Sequence, residues 1–134
     1  MKRTIVGCVL GVAVAVAIGC GGDSSGIDRS KAVGSLSAAD QMTECMNNAS
    51  KYPSKTVMCS DGSTLPLGTD PAECSGSGFH AYPAACPVTV GQAEDCEAAL
   101  YAAGSAACGS GSPPAACAAV FANLAACTPG GSGG

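Results

Sequence analysis

Apolar residues occur in this chain first as one unbroken run and then at spaced intervals. The run is Ile5 to Ile18, 14 residues interrupted only by small glycines. It follows Lys2 and Arg3 and ends at Gly19, the order of an export signal: positive n-region, apolar h-region, small residue before the cut. Fourteen residues fall short of the ~20 that a bilayer-spanning helix needs, so the run reads as a signal and not as an anchor. Downstream the pattern becomes helical. Ala38, Met42, Cys45, Met46 and Ala49 share one face of a helix that starts at Ser37, with Asp40 three residues on in a capping-box-like pair, and ends near Lys51 before Tyr52-Pro53. A second helix starts at Thr89 as N-cap with Gln92 at the capping-box position; Val90, Ala93, Cys96, Leu100 and Ala103 form its apolar face, and Gly104 stops it. A third starts at Ser112 with Pro113 in its first turn, and its stripe is Cys117, Val120, Phe121, Leu124 and Cys127.

Between the first two helices the pattern is different. Lys55 to Leu67 holds two short β-leaning runs around Asp61-Gly62, a pair favoured in two-residue type I′ turns, so a hairpin is predicted. Pro66 would confine its strand to an edge. Residues 68–87 are rich in Gly, Ser and Pro and read as irregular.

Composition shows what must hold these elements together. Of the 92 residues from Leu36 to Cys127, only 11 are Leu, Ile, Val or Phe, about 12%. A chain below ~20% often cannot fold on burial alone. The chain has ten cysteines. Cys8 leaves with the signal, and nine is an odd number for an exported protein. Setting Cys20 aside leaves Cys45, Cys59, Cys74, Cys86, Cys96, Cys108, Cys117 and Cys127, which form four disulfides. Metal ligation is not expected: the closest pair, Cys108 and Cys117, has eight residues between its members, and there is one histidine. An antiparallel pairing of the second and third helices about a loop near residue 108 favours Cys96–Cys117 and Cys86–Cys127. For the other four, Cys59–Cys74 with Cys45–Cys108 is the weaker expectation.

Charge excludes some partners. Cleavage after Gly19 leaves 115 residues with four basic and ten acidic side chains, a balance of −6. No Lys or Arg occurs after Lys55. Nucleic-acid binding and electrostatic docking on an anionic bilayer both need clustered cations, so neither is expected.

Candidate chemistry is sparse. His80 is the only histidine, and no nucleophile motif accompanies it, so it reads as a solvated loop residue. The glycines at 109 and 111 precede a helix but lack the Gly-Lys-Ser/Thr of a phosphate loop. Glu94, Asp95 and Glu97 read as a solvated face matched to the helix dipole, although paired acids could also serve acid–base chemistry or calcium. Tyr52, Phe79 and Tyr82 could line a binding surface; with five aromatics in the chain, they are expected mostly to fill core gaps. Neither an enzymatic activity nor a cofactor is expected.

Ala17-Ile18-Gly19-Cys20 resembles a bacterial lipobox, with Ala17 where the commonest form has Leu. The resemblance implies that Cys20 becomes the acylated first residue of the mature protein, a lipoprotein carrying palmitate-type chains. Two or more acyl chains anchor a protein stably at a membrane. Residues 21–34, if all flexible, would give a tether of roughly 20 Å root-mean-square reach. Gly21, rather than Asp, after that cysteine is compatible with the outer membrane. As a whole the chain resembles small cysteine-rich lipoproteins of myxobacteria. The features that carry this are Cys20, Leu36-Ser37-Ala38-Ala39-Asp40, Lys55-Thr56-Val57 with Cys59, Thr89-Val90-Gly91-Gln92 before Cys96, and Pro114-Ala115-Ala116-Cys117. That family has no assigned activity.

The expected product is a small disulfide-rich, mainly α domain: three short helices, one β-hairpin, irregular loops and four disulfides. The expected layout is signal peptide 1–19, acylated Cys20 and tether 20–35, stapled domain 36–128 and tail 129–134. The expected role is a lipid-anchored cell-envelope module, either structural or bound to an envelope protein partner. The alternatives are a small-ligand or cation-binding lipoprotein and an inhibitor-like scaffold.

Overall fold

The computed structural model describes residues 26–109 and 112–128. The expected signal peptide, Cys20 and the expected tail lie outside them. The fold is small and mainly helical, with one two-stranded antiparallel hairpin and four disulfides.

Helix α1, Ala38–Lys51, is capped as its sequence demands. The Ser37 hydroxyl accepts from the Asp40 N–H and donates to the Asp40 carboxylate. Its buried face matches the expected apolar one only in part, at Cys45 and Ala49. Gln41, Glu44 and Ala49 are buried, while Met42 and Met46 are 37% and 45% exposed. The helix is rolled so that Gln41 and Glu44 face inward with Cys45, which bonds Cys74.

Strands β1 (Lys55–Met58) and β2 (Thr64–Leu67) pair as predicted, Lys55 opposite Leu67 and Met58 opposite Thr64. The turn is not the expected type I′. That turn needs positive φ at two residues, and here only Gly62 has it, at +83°. Cys59 N–H donates to the Ser63 carbonyl and Gly62 N–H to the Cys59 carbonyl, which leaves a three-residue loop with glycine in the left-handed position. The Asp61 carboxylate accepts from both the N–H and the hydroxyl of Ser63 and holds this loop closed. After β2, Gly68 has φ +79°, and a Cβ there would overlap the carbonyl oxygens of Tyr52 and Pro53. Only glycine lets the chain cross the end of α1 so closely.

Residues 68–87 contain two 3-10 turns, Pro71–Cys74 and Gly76–Gly78, and no other helix or strand. Helix α2, Val90–Ala103, has the full predicted capping box between Thr89 and Gln92, and it stops at Gly104 with φ +55°. The third predicted helix is broken. Its chain forms a 3-10 turn at Ala115–Cys117, then α3 (Ala118–Ala122) and α4 (Leu124–Cys127). Ser112 is not its cap. Pro114 disfavours a helical Pro113, so helical turns begin only after the proline pair. At the break, Asn123 Nδ2 donates to the Ala119 carbonyl while the Asn123 backbone N–H turns to Val120. The side chain thus competes for the bond that would continue the helix.

The core is small: Val33, Cys86, Val88, Val90 and Cys127, with Ile27, Leu36, Ala93 and Val120 packed against it. It includes residues expected in the tether. Val33 is 3% exposed and its N–H donates to Val88. The carbonyls of Lys31 and Arg29 accept from the N–H groups of Val90 and Gly91. These are donors that the first turn of any helix leaves open. Residues 29–33 thus pack against the first turn of α2 and supply its acceptors.

Two predicted disulfides are present, Cys96–Cys117 and Cys86–Cys127. The other two are exchanged: Cys45 bonds Cys74 and Cys59 bonds Cys108. The Pro71–Cys74 turn packs on α1 and so brings Cys74 to Cys45. The end of β1 meets the turn after α2, where Cys108 lies.

Candidate functional site

One cavity of about 610 Å³ opens between α1, the chain at 69–73, the loop at 79–82 and α2. Pockets of 300–1,000 Å³ are the usual size for small ligands. Helix α1 contributes Gln41, Glu44, Cys45 and Asn48 to its wall. Residues at i, i+3, i+4 and i+7 lie along one face, and Cys45 must point inward to reach Cys74, so its neighbours on that stripe point inward too.

Gln41 secures the opposite wall. It is 6% exposed, its Nε2 donates to the Leu36 carbonyl at 3.3 Å, and its Oε1 accepts from the Tyr82 N–H at 2.7 Å. The second bond ties an irregular loop to a regular helix and sets Phe79, His80 and Tyr82 against the cavity. His80 is exposed.

The lining is acidic. Glu44, Glu73 and Glu97 contribute carboxylates, and no Lys or Arg takes part. Three of the four basic side chains among the described residues are engaged elsewhere. Arg29 Nε pairs with Glu94 at 2.8 Å and Arg29 also reaches Asp95. Lys51 pairs with Glu94 at 3.3 Å. Lys55 donates to the Tyr101 carbonyl and lies 3.6 Å from the centre of the Tyr101 ring, which also packs on Tyr52.

Two groups of the wall feel this environment. Burial pushes the Glu97 carboxyl above its ordinary value, and a hydrogen bond from the Gly68 backbone opposes the rise only in part. The Tyr82 phenol is also pushed up, first by burial and then by the negative charges of Glu97 and Glu44. Glu44 itself is 7% exposed. Asn48 is in the same wall, and its Oδ1 is buried without a hydrogen-bond partner among the described residues.

The sequence-predicted groups are distributed unevenly around this site. The expected solvated face of Glu94, Asp95 and Glu97 is corrected: Glu94 is buried in an ion cluster, Glu97 lines the cavity, and only Asp95 is exposed. Residues 29–33 cover the α2 N-terminus, so Glu94 meets Arg29 and not water. Phe79 and Tyr82 reach the cavity, whereas Tyr52 packs on Tyr101 outside it. Gln41, Glu44 and Asn48 were missed. The signal for them was the half-cystine at 45, which fixes the inward side of α1 more firmly than two methionines do.

Among the described residues, no three His, Cys, Asp or Glu side chains are spaced to hold a metal ion, and no helix is long and apolar enough to cross a membrane. Cys45, the thiol-bearing residue of the lining, is closed in a disulfide. The cavity thus brings three carboxylates and the rings of Phe79 and Tyr82 to one lining without a Lys or Arg. Compared with protein-family models, curated proteins and solved structures, the chain matches none.

Proposed function

We propose that this chain is a lipoprotein of the bacterial cell envelope, anchored through acyl chains on Cys20, whose stapled domain is a non-enzymatic binding or structural module at the outer membrane. The observation that supports this best is the cysteine account. All eight cysteines downstream of Cys20 are paired with one another, so none remains to bond Cys20. A thiol at the end of an export signal, followed at once by Gly-Gly-Asp-Ser-Ser-Gly, then has acylation as its natural fate. Mass spectrometry of the mature N-terminus tests it. A diacylglycerol-bearing Cys20 is the expected result. A water-soluble protein with Cys20 unmodified or disulfide-bonded, or a chain still carrying Lys2 and Arg3, overturns it.

A second reading concerns what the module holds. The acidic cavity favours a small-ligand lipoprotein over a purely structural one, because a hollow with buried polar walls is costly to keep in a domain with so small a core. Nothing specific favours an inhibitor-like scaffold.

A further inference from the structure

We propose that the domain rests on the lipid bilayer through an uncharged apolar face built around Phe121 and the groove beside it. The proposal rests on the lipoprotein reading above and adds to it the face that meets the lipid.

Three observations carry it. The first is the segregation of charge along the chain and in space. No Asp, Glu, Lys, Arg or His occurs after Glu97. A groove of about 340 Å³ brings part of that uncharged stretch, Ala107, Pro113, Pro114 and Phe121, against Leu65 and Pro66 of β2. None of the residues lining the groove is charged. Moving such a surface out of water therefore strips no ion of its hydration.

The second is the exposure of large apolar side chains at the same end. Phe121 and Leu124 lie on either side of the break between α3 and α4, and both are exposed. The polar side chains around them bond inward. Asn123 Nδ2 donates to the Ala119 carbonyl, and the Thr128 hydroxyl donates to the Leu124 carbonyl. A connected apolar surface of this kind marks a contact with protein or membrane.

The third observation decides between those two, and it is where the chain enters the domain. Ile27 packs against the core of Val33, Cys86, Val88, Val90 and Cys127, and Val120 of α3 packs against that same core. Only residues 21–26 then separate Cys20 from the folded domain. The seven steps from Cys20 to Ile27 span at most about 25 Å when fully extended. A domain of about 100 residues is roughly 30 Å or more across. An acylated Cys20 therefore keeps the far side of the domain off the membrane and presents the surface near Ile27 to it. Two surfaces lie there. Residues 28–31 carry Asp28, Arg29 and Lys31, whereas α3 and α4 carry no charge. Charged groups stay in water and apolar ones leave it, so the domain rolls toward Phe121. A protein partner would have to reach this face in a layer that the anchor already fills with lipid.

The test is fluorescence of the mature acylated protein, disulfides intact, in vesicles of phosphatidylcholine and phosphatidylethanolamine brominated on the acyl carbons nearest the headgroup. The chain has no tryptophan, so each variant reports one site. Phe121→Trp probes the face. Met46→Trp is the comparison, because Met46 is as exposed as Phe121 (45% and 46%) but lies on α1 with Asp40, Glu44 and Lys51. Quenching of Phe121→Trp should be at least about twofold stronger than that of Met46→Trp, as for a side chain at the boundary of headgroups and acyl chains. Raising the salt concentration should not weaken it, since no charge takes part. Leu124→Trp should be quenched like Phe121→Trp, and it takes over the test if Phe121→Trp does not fold. Adding Phe121→Asp to Leu124→Trp should bring the quenching down toward that of Met46→Trp.

Equal quenching at Phe121 and Met46, in protein that sediments with the vesicles, overturns this face and leaves the lipid anchor standing. So does a Phe121→Trp protein that is shielded from brominated lipid and crosslinks as a dimer, because a second copy then covers the face. Protein that stays in solution when the vesicles sediment overturns the anchor and this proposal together.

Discussion

The two sides of this domain are stapled alike and built differently. On one side, Cys86–Cys127 lies inside the core with Val33, Val88 and Val90, Cys96–Cys117 joins α2 to the 3-10 turn at Ala115–Cys117, and all four cysteines are buried. On the other, Cys45–Cys74 and Cys59–Cys108 brace α1, the hairpin and the irregular loops around an acidic hollow, and only Cys74 of those four is buried. In the first region sulfur is part of the packing. In the second it substitutes for packing and keeps open a space that hydrophobic side chains would otherwise fill. A chain with so few large apolar residues can support one dry core; the rest of the fold depends on crosslinks.

The largest effect should come from cutting one staple on each side. Chain entropy alone ranks Cys59–Cys108, with its separation of 49, above Cys96–Cys117, with 21; both fall near 3–4 kcal/mol. Packing reverses the order, because replacing two buried sulfurs by alanine also leaves a void. The double variant Cys96→Ala/Cys117→Ala should therefore be less stable than Cys59→Ala/Cys108→Ala in denaturant melts. The opposite ranking would mean that the sulfurs on the two sides do the same work.

Next in size is a pair of apolar truncations. Val90 is fully buried, and Val90→Ala should cost about 2–3 kcal/mol. Leu36 borders the cavity and is only half-buried, so Leu36→Ala, although it removes more atoms, should cost less, about 1 kcal/mol. Chemical denaturation distinguishes the two.

The ion cluster joining the sides comes third. Glu94→Gln should cost about 1–2 kcal/mol and not more, because Arg29 and Lys51, 41% and 34% exposed as side chains, can turn to water. Raising the salt concentration should shrink the difference between parent and variant melts.

The smallest effect is in pH. Glu97 titrates above its ordinary value in the fold, so its contribution to stability is full below the unfolded carboxyl value and is lost as pH rises through the raised one. Asp61, held by Ser63, titrates below its ordinary value, so its contribution is present above that value and is lost as pH falls through the lowered one. Carboxyl carbon shifts followed by NMR should place the two midpoints on opposite sides of the normal carboxylate range. Glu97→Gln should melt higher than the parent near pH 7 and match it at about pH 3. Midpoints on the same side would erase the contrast between the exposed hairpin and the half-buried cavity wall.

Much of the fold was legible because its signals are local. Ser37-x-x-Asp40, Thr89-x-x-Gln92, Gly104 and Asp61-Gly62 each satisfy backbone groups within a few residues, and the elements they bound are where they were expected. The readings that failed needed distant partners. The inward face of α1 was read as Ala38, Met42, Cys45, Met46 and Ala49; Cys45 and Ala49 do turn inward, but the Cys45–Cys74 bond sets a roll that leaves Met42 and Met46 toward water. Glu94 read as solvated because nothing nearby in sequence shows Arg29 and Lys51 reaching it, and Glu97 because nothing nearby shows Gly68 packed beside it. The exchanged cysteine pairs have the same cause, since a 3-10 turn at 71–74 has no strong sequence mark beyond Asp70-Pro71.

Composition and cysteine number by themselves determined that this domain had to be crosslinked, small and helical, because backbone capping and the shortage of large side chains act over short distances along the chain. The tertiary structure alone decided which sulfurs meet, which face of α1 turns inward, and that an acidic hollow with aromatic walls exists at all. Those outcomes depend on segments far apart in sequence competing for one limited core, a competition that no local pattern records.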